Sequence, residues 1–350
     1  MKAIVVTGPG DVRMIETDRP EAGPGDVLVK VAYSGICGTD LSIASGDTSL
    51  VKEGLIRYPV RIGHEWSGVV ETAGENVKDF MPGDRVTGDP AVSCGVCGHC
   101  RSGDYPLCEH LRSVGTINCW DGSFAEYMLM PSRHLHKLPR DTGLDEAALI
   151  EPATVALAGV KKLNITSDST VLVMGTGAIG LAAVALAKNA GAKRVLLCGR
   201  KQPKLAIGKR MGADAVVNVT TDSLQEFVFQ NTDGKGVNAV LETSGAVETI
   251  SQCLQVTARA GTVALVGFYE AKLDGFDIDR VVTGEIQLRG IMGEFGLVEE
   301  VITILRMGAL DLKPLITHRL AFEEAVEALR PAGGRNDTRI KMLVKIAGDI

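Results

Sequence analysis

The segment Val171-Leu172-Val173-Met174-Gly175-Thr176-Gly177-Ala178-Ile179-Gly180-Leu181 joins a continuous apolar run to a glycine-rich turn and a second apolar run that reaches Ala187. A short, wholly apolar run reads as a strand buried on both faces, as parallel sheets require. Leu181–Ala187 reads as the helix that follows. The glycines permit a tight turn and a close backbone approach to a pyrophosphate, and the helix start offers free N–H groups and a positive dipole end. The spacing carries weight because a strand precedes it and a helix follows it. Gly175, Gly177, Ile179 and Gly180 are therefore candidate dinucleotide contacts.

Outward from this segment the alternation continues. Val195-Leu196-Leu197-Cys198 reads as a strand, Lys204–Met211 as a helix, and Ala215-Val216-Val217, Ala239-Val240-Leu241 and Thr262–Val266 as further strands. Such alternation predicts a doubly wound parallel α/β sheet. The strand after the glycine loop ends Cys198-Gly199-Arg200-Lys201, with Lys204 following. An NAD site usually places an acid there, about 20 residues on, against the ribose 2′-hydroxyl. Gly199 stands where that acid would be, and Arg200, Lys201 and Lys204 offer three cations instead, which predicts NADP, with NAD possible. The first 150 residues read differently, as short strands such as Asp26–Ala32, Ser67–Glu71 and Phe124–Leu129 divided by Gly/Pro turns, the pattern of a barrel-like β domain. Beyond Gly290 the pattern becomes helical, and Ile340–Ile346 reads as a last strand rejoining the first domain.

The 350 residues suit about two domains, and 45% hydrophobic with 23% charged residues excludes a disordered chain. With 37 basic and 43 acidic residues, the net charge of −6 argues against nucleic acid or an anionic membrane as partner. The charge-free stretch Ser169–Ala187 approaches membrane-span length, but its glycines divide it into strand and helix. No secretory leader is visible at the start, and a cytoplasmic location is expected.

Four of the eight cysteines lie close together: Cys94, Cys97, Cys100 and Cys108. Four thiolates saturate tetrahedral zinc and leave no open position, so this lobe reads as a structural zinc site. Two arginines against Asp89, Asp104 and Glu109 give the lobe no basic footprint for nucleic acid. A second, dispersed group comprises Cys37 in Gly35-Ile36-Cys37-Gly38-Thr39-Asp40, His64-Glu65 in Gly63-His64-Glu65-Trp66, and Glu151 in Ile150-Glu151-Pro152. Each of these is ambiguous by itself.

Together these motifs, in this order and spacing, resemble the zinc-dependent medium-chain dehydrogenases over essentially the whole length, near the sorbitol and threonine dehydrogenases. The resemblance implies a GroES-like catalytic domain (1–153 and 291–350) and an inserted Rossmann domain (154–290), with the active site between them. It implies Cys37 and His64 as catalytic zinc ligands, and Glu65 and Glu151 as ligands or near neighbours of that zinc. Glu151 stands where many alcohol dehydrogenases have cysteine. Asp40 matches the acid that orients His64, and Thr39 the hydroxyl that first receives the alcohol proton. Many relatives carry a histidine five residues after the cysteine ligand; here Ser42 stands there, so deprotonation is expected to run through Glu65 or Glu151.

The resemblance further implies two zincs per subunit and hydride transfer between NADP and a secondary alcohol of a polyol, sugar alcohol or cyclitol. A threonine-type amino-alcohol dehydrogenase and a non-catalytic cofactor-binding relative are the alternatives. A homotetramer or homodimer is expected, paired near Val263–Leu265 and Ile286–Leu288. Cys119, Cys198 and Cys253 read as packing residues. His134 and His136 read as surface or locally hydrogen-bonded groups, and Trp66 and Trp120 as either cleft or core.

Overall fold

A computed structural model describes residues 1–292, 296–330 and 338–348. Two compact units emerge: Met1–Glu151 with Val298–Ile302 and Ile316–Ile350, and Pro152–Leu297 with Thr303–Leu315. In the first unit, β1 (Lys2–Gly8) and β2 (Asp11–Glu16) pair antiparallel. The chain continues through β3 (Asp26–Ile36), α1 (Gly38–Ser45), α2 (Ser49–Lys52), β4 (Glu65–Ala73) and β5 (Arg85–Gly88). The cysteine lobe is bounded by β6 (Ala91–Val92) and β7 (Arg112–Ser113), with α3 (Gly98–Arg101) inside it. β8 (Tyr127–Pro131), β9 (Leu135–Lys137), α4 (Leu144–Ala147) and α5 (Ile150–Lys161) follow, and α5 carries the chain across the boundary.

The second unit alternates as its apolar runs predict: β10 (Thr170–Met174), α6 (Ala178–Asn189), β11 (Arg194–Gly199), α7 (Gln202–Arg210), β12 (Ala215–Asn218), α8 (Leu224–Gln230), β13 (Val237–Glu242), α9 (Thr249–Val256), β14 (Thr257–Leu265), α10 (Ile278–Gly284) and β15 (Gln287–Gly290). The six strands are all parallel, in the order β12-β11-β10-β13-β14-β15. That is the doubly wound order, reversing between β10 and β13. Val171, Leu172 and Val173 are fully buried, each contributing roughly 1.5–3 kcal/mol by leaving water.

The chain then forms α11 (Val298–Arg306), β16 (Ile316–Ala321), α12 (Ala325–Leu329) and β17 (Lys341–Lys345). β17 returns to the first unit, antiparallel to β3, in a seven-stranded sheet ordered β16-β17-β3-β4-β5-β9 with β8 also on β3.

Several sequence expectations shift. Helix α6 begins at Ala178, so Ile179 and Gly180 lie in its first turn and not in a loop before it. Phe124 and Ala125 precede the β8 ladder, Ala125 making an isolated bridge to Ala3. β16 lies where helix was expected: it is an edge strand with polar, half-exposed residues, so its apolar signal is weak. Trp66 belongs to the core at 1% exposure. β14 is interior, and β15 alone forms that edge of the sheet. No helix among the described residues is long and apolar enough to cross a membrane.

Candidate metal centres and dinucleotide loop

Cys37 directly follows β3 as the N-cap of α1. Its backbone N–H donates to Asp40 Oδ2 at 2.8 Å, while Asp40 Oδ1 accepts from Gly63 N at 3.1 Å. The same Oδ1 stands 3.6 Å from His64 Nδ1, an ionic separation too long for a hydrogen bond. One wholly buried carboxylate thus ties the segment carrying Cys37 to the segment carrying His64. Gly63 adopts φ +99°, and a Cβ there would meet Phe124 and Ser123 at 2.8 Å, so the bend that presents His64 demands glycine.

Cys37 Sγ, a His64 ring nitrogen and a Glu65 carboxylate oxygen all lie within 4.8 Å of one another. Glu65 Oε2 and His64 Nδ1 are buried and have no hydrogen-bond partner among the described residues. Glu65 pairs across β4 with Gly35 of β3, where an added Cβ would come 2.2 Å from Glu65 Oε2. Glycine at 35 therefore makes the space in which that carboxylate sits. Thr39 Oγ1 lies 3.8 Å from Cys37 Sγ. Ser42 is half-buried on α1.

Glu151, in the first turn of α5, stands outside the close group of three but within its field. Desolvation pushes its carboxyl up to about 7, with His64 pulling the other way and Glu65 adding to the rise. Burial alone would lower the His64 pKa, yet Asp40, Cys37 and Glu151 more than offset this and hold it well above 6.5. A sulfur, an imidazole and a carboxylate oxygen without a partner, in an anionic pocket, are the donor set that zinc takes.

Lys341, which sequence reading missed, reaches into this pocket. It is buried at 4% exposure, donates to Glu65 Oε1 at 2.6 Å and approaches Ile36 O at 3.3 Å. Burial lowers its pKa, but Glu65, Cys37 and Glu151 more than compensate and keep the amine charged. The available signal is a lysine inside the apolar run of β17, opposite the end of β3.

The four lobe sulfurs also gather within 4.8 Å. Backbone N–H groups of Val96 and Cys97 point to Cys94 Sγ at 3.5 and 3.3 Å, and those of Cys94 and His110 to Cys108 Sγ at 3.2 and 3.4 Å. Such donors favour thiolate: those of Val96 and Cys97 lead in lowering the Cys94 thiol to about 6, whereas burial lifts Cys100 to about 11. A dication would deprotonate the set together. The lobe is anchored by Ser93, whose Oγ lies 2.8 Å from His134 Nε2. His134 Nδ1 lies 3.0 Å from Asp89 Oδ2. His134 is therefore a buried, hydrogen-bonded group.

In the second unit Gly175 has φ +114°, and a Cβ on Gly180 would lie 2.2 Å from Gly175 O. Gly177 is the N-cap of α6 with no side chain to satisfy the helix N–H groups, as an anion site requires. Gly199 closes β11, and a Cβ there would lie 2.5 Å from Thr176 Cγ2. The missing acid is thus also a packing glycine. Arg200 is exposed and makes no ion pair or hydrogen bond among the described residues, and Lys201 and Lys204 open α7 beside it. The glycine loop and these cations lie in one unit, the two cysteine-bearing clusters in the other.

Comparison with known proteins gives two family matches: an alcohol dehydrogenase GroES-like domain over residues 23–140 and a zinc-binding dehydrogenase domain over 178–307. An L-idonate 5-dehydrogenase of Vitis vinifera is 33% identical over 332 residues, covering 93% of this chain and 90% of that protein. An L-threonine 3-dehydrogenase of Burkholderia thailandensis is 34% identical over 328 residues, covering 93% of each. A zinc-binding dehydrogenase of Sinorhizobium meliloti, solved bound to NADP, superimposes with a TM-score of 0.89 at 32% identity over 99% of both chains.

Proposed function

The chain belongs to the zinc-dependent medium-chain dehydrogenase family, and from that premise we propose that it transfers a hydride between a polyol-type secondary alcohol and NADP. The observation that carries this reading is the buried Glu65 oxygen that has no partner among the described residues, beside Cys37 and His64. Zinc held by Cys37, His64 and Glu65, with Glu151 close by, would supply Lewis acidity toward the alcohol oxygen. The nicotinamide would supply the hydride acceptor.

The remaining work falls to this chain's residues. Asp40 fixes the approach of Cys37 and His64 through Cys37 N and Gly63 N. Thr39, two residues from Cys37, offers its hydroxyl to the alcohol proton. From there Ser42, Glu65 or Glu151 takes it onward, with no imidazole at position 42. The second zinc belongs to Cys94, Cys97, Cys100 and Cys108 as a closed structural site. Gly175, Gly177, Ile179 and Gly180 cradle the pyrophosphate. Arg200 with Lys201 or Lys204 takes the 2′-phosphate by charge-assisted hydrogen bonds.

A homo-oligomer is part of the proposal. β15 is an edge strand with every residue exposed, and Ile278, Val282 and Leu288 present apolar surface near it at 57%, 68% and 38% exposure. A monomer in light scattering at micromolar concentration would contradict pairing through this edge. A cytoplasmic location agrees with eight unpaired cysteines.

Threonine is the second substrate reading, supported by the 34% identity to a threonine dehydrogenase. kcat/KM for a polyol series and for threonine, each with NADP and NAD, separates them. A polyol oxidised with NADP supports the proposal. Oxidation of threonine alone would replace the substrate class, and a clear preference for NAD would remove the cofactor assignment.

A further inference from the structure

Glu242 closes β13 and is fully buried, yet among the described residues it meets only neutral donors. Its Oε1 accepts from Ser244 N at 2.8 Å, from Thr249 Oγ1 at 3.0 Å and from Ser244 Oγ. Its Oε2 accepts from Tyr269 Oη at 2.6 Å and Gly245 N at 3.3 Å. A buried carboxylate without a counter-cation is costly unless its hydrogen bonds are complete, as these nearly are.

The position of this group matters. β13 adjoins β10 where the strand order reverses, and Glu242 is in register with Met174, the residue before the glycine loop. The loop that Glu242 holds packs on its neighbours: a Cβ on Gly175 would lie 2.6 Å from Thr243 Oγ1, and one on Gly267 2.5 Å from Gly245 Cα. Segments following β10, β13 and β14 therefore meet around one carboxylate. In a doubly wound sheet the dinucleotide crosses at this reversal, its second mononucleotide lying over the β13–β15 half.

The charge is felt locally. Burial and the bond to Glu242 raise the Tyr269 phenol above its ordinary value, so it stays a donor. Burial, with Glu242 adding to it, pushes the Cys198 thiol up to about 12.

We propose that Glu242 is a positioning residue for the nicotinamide half of the crevice: it holds Ser244, Thr249 and Tyr269 in one arrangement, and its uncancelled charge favours the cationic nicotinamide ring of the oxidised cofactor over the neutral ring of the reduced one. This rests on the dehydrogenase reading above. A purely structural role would weaken both cofactor forms alike, so the ratio of their affinities is the decisive readout.

The test is the Kd of NADP⁺, by calorimetry, and of NADPH, by fluorescence, for the purified full-length protein and its Glu242→Gln and Tyr269→Phe variants. Glu242→Gln raises the Kd for NADP⁺ about tenfold more than that for NADPH, a modest value for one charge pair in a partly desolvated crevice. Tyr269→Phe keeps the charge and raises both constants together, about threefold, part of what a hydrogen bond to a charged group contributes. Equal loss of both forms in Glu242→Gln would overturn the proposal. If that variant does not fold, unchanged constants in Tyr269→Phe would overturn it. Unmodified protein that binds neither dinucleotide would instead overturn the dehydrogenase reading beneath it.

Discussion

At the scale of single residues, Lys341 and Gly199 carry the most consequence. Lys341 and Glu65 form an ion pair with side chains 5% and 1% exposed. Removing one partner of such a buried pair leaves an uncompensated charge and costs about 3–5 kcal/mol. Lys341→Met is expected to lower stability by that order in metal-free protein, read from denaturant unfolding, and by less when zinc is present to take up the Glu65 charge. An equal loss with and without zinc would contradict the placement of Glu65 at the metal. Gly199 bears on cofactor choice. Gly199→Asp with Arg200→Leu turns the preference toward NAD only if Thr176 is also reduced to alanine, because the new Cβ would meet the Thr176 methyl at 2.5 Å. The triple variant should show at least a tenfold change in the ratio of kcat/KM for NADP and NAD, the scale of one charge-assisted contact at about 1.4 kcal/mol per tenfold. An unchanged ratio would remove Arg200 from the 2′-phosphate site. The glycine turn at Gly175, Gly177 and Gly180 was legible because its residues are contiguous in sequence between strand and helix. Lys341 was not, since its partner lies 276 residues away and the one local signal, a lysine beside the apolar Met342-Leu343-Val344 run, does not name Glu65 as that partner.

At the scale of elements, the cysteine lobe and its mooring behave as a unit. Asp89 accepts from His134 and, through Oδ1, from His136 Nε2 at 3.0 Å, while His136 Nδ1 lies 2.7 Å from Glu299 Oε1 at the start of α11. Burial lowers the His136 pKa, but Asp89 and Glu299 more than offset it and raise it above 6.5. A raised histidine pKa contributes stability that is complete below pH 6.5 and is lost as pH climbs through the raised value. Unfolding free energy should therefore fall as pH rises past that point, and His136→Asn should flatten the dependence. A profile indifferent to the substitution would contradict the network. Strand-level reading succeeded where both faces are buried, as in β10 and β11. It failed at β16, an edge strand whose Thr317, His318 and Arg319 give no apolar pattern.

At the scale of the whole molecule, the proposed chemistry would draw on two candidate metal sites of different kinds. The cysteine lobe is closed by four sulfurs, and the other site mixes sulfur, imidazole and carboxylate in a pocket that must admit substrate. Purified protein should carry two zincs per subunit. Cys37→Ser should lose one of them and all turnover while remaining folded by circular dichroism. Cys108→Ser should instead lower the thermal midpoint or prevent assembly. Fully active protein with a single zinc would remove this division. The doubly wound sheet and the cysteine lobe were legible in contiguous runs, and family membership in the order and spacing of separate motifs. The role of Asp40 in joining two distant segments, the space that Gly35 leaves for Glu65, and the donors around Glu242 became visible only with the fold.

The most direct measurement is the rate of NADP reduction by the metal-replete protein across polyols, cyclitols and threonine, repeated after a chelator has withdrawn the more labile zinc and again after zinc is restored. The proposed function predicts that a polyol-type secondary alcohol drives NADP reduction, that the rate vanishes with one zinc while the other stays bound, and that added zinc restores it. Protein that carries both zincs and reduces neither NADP nor NAD with any of these alcohols would contradict it.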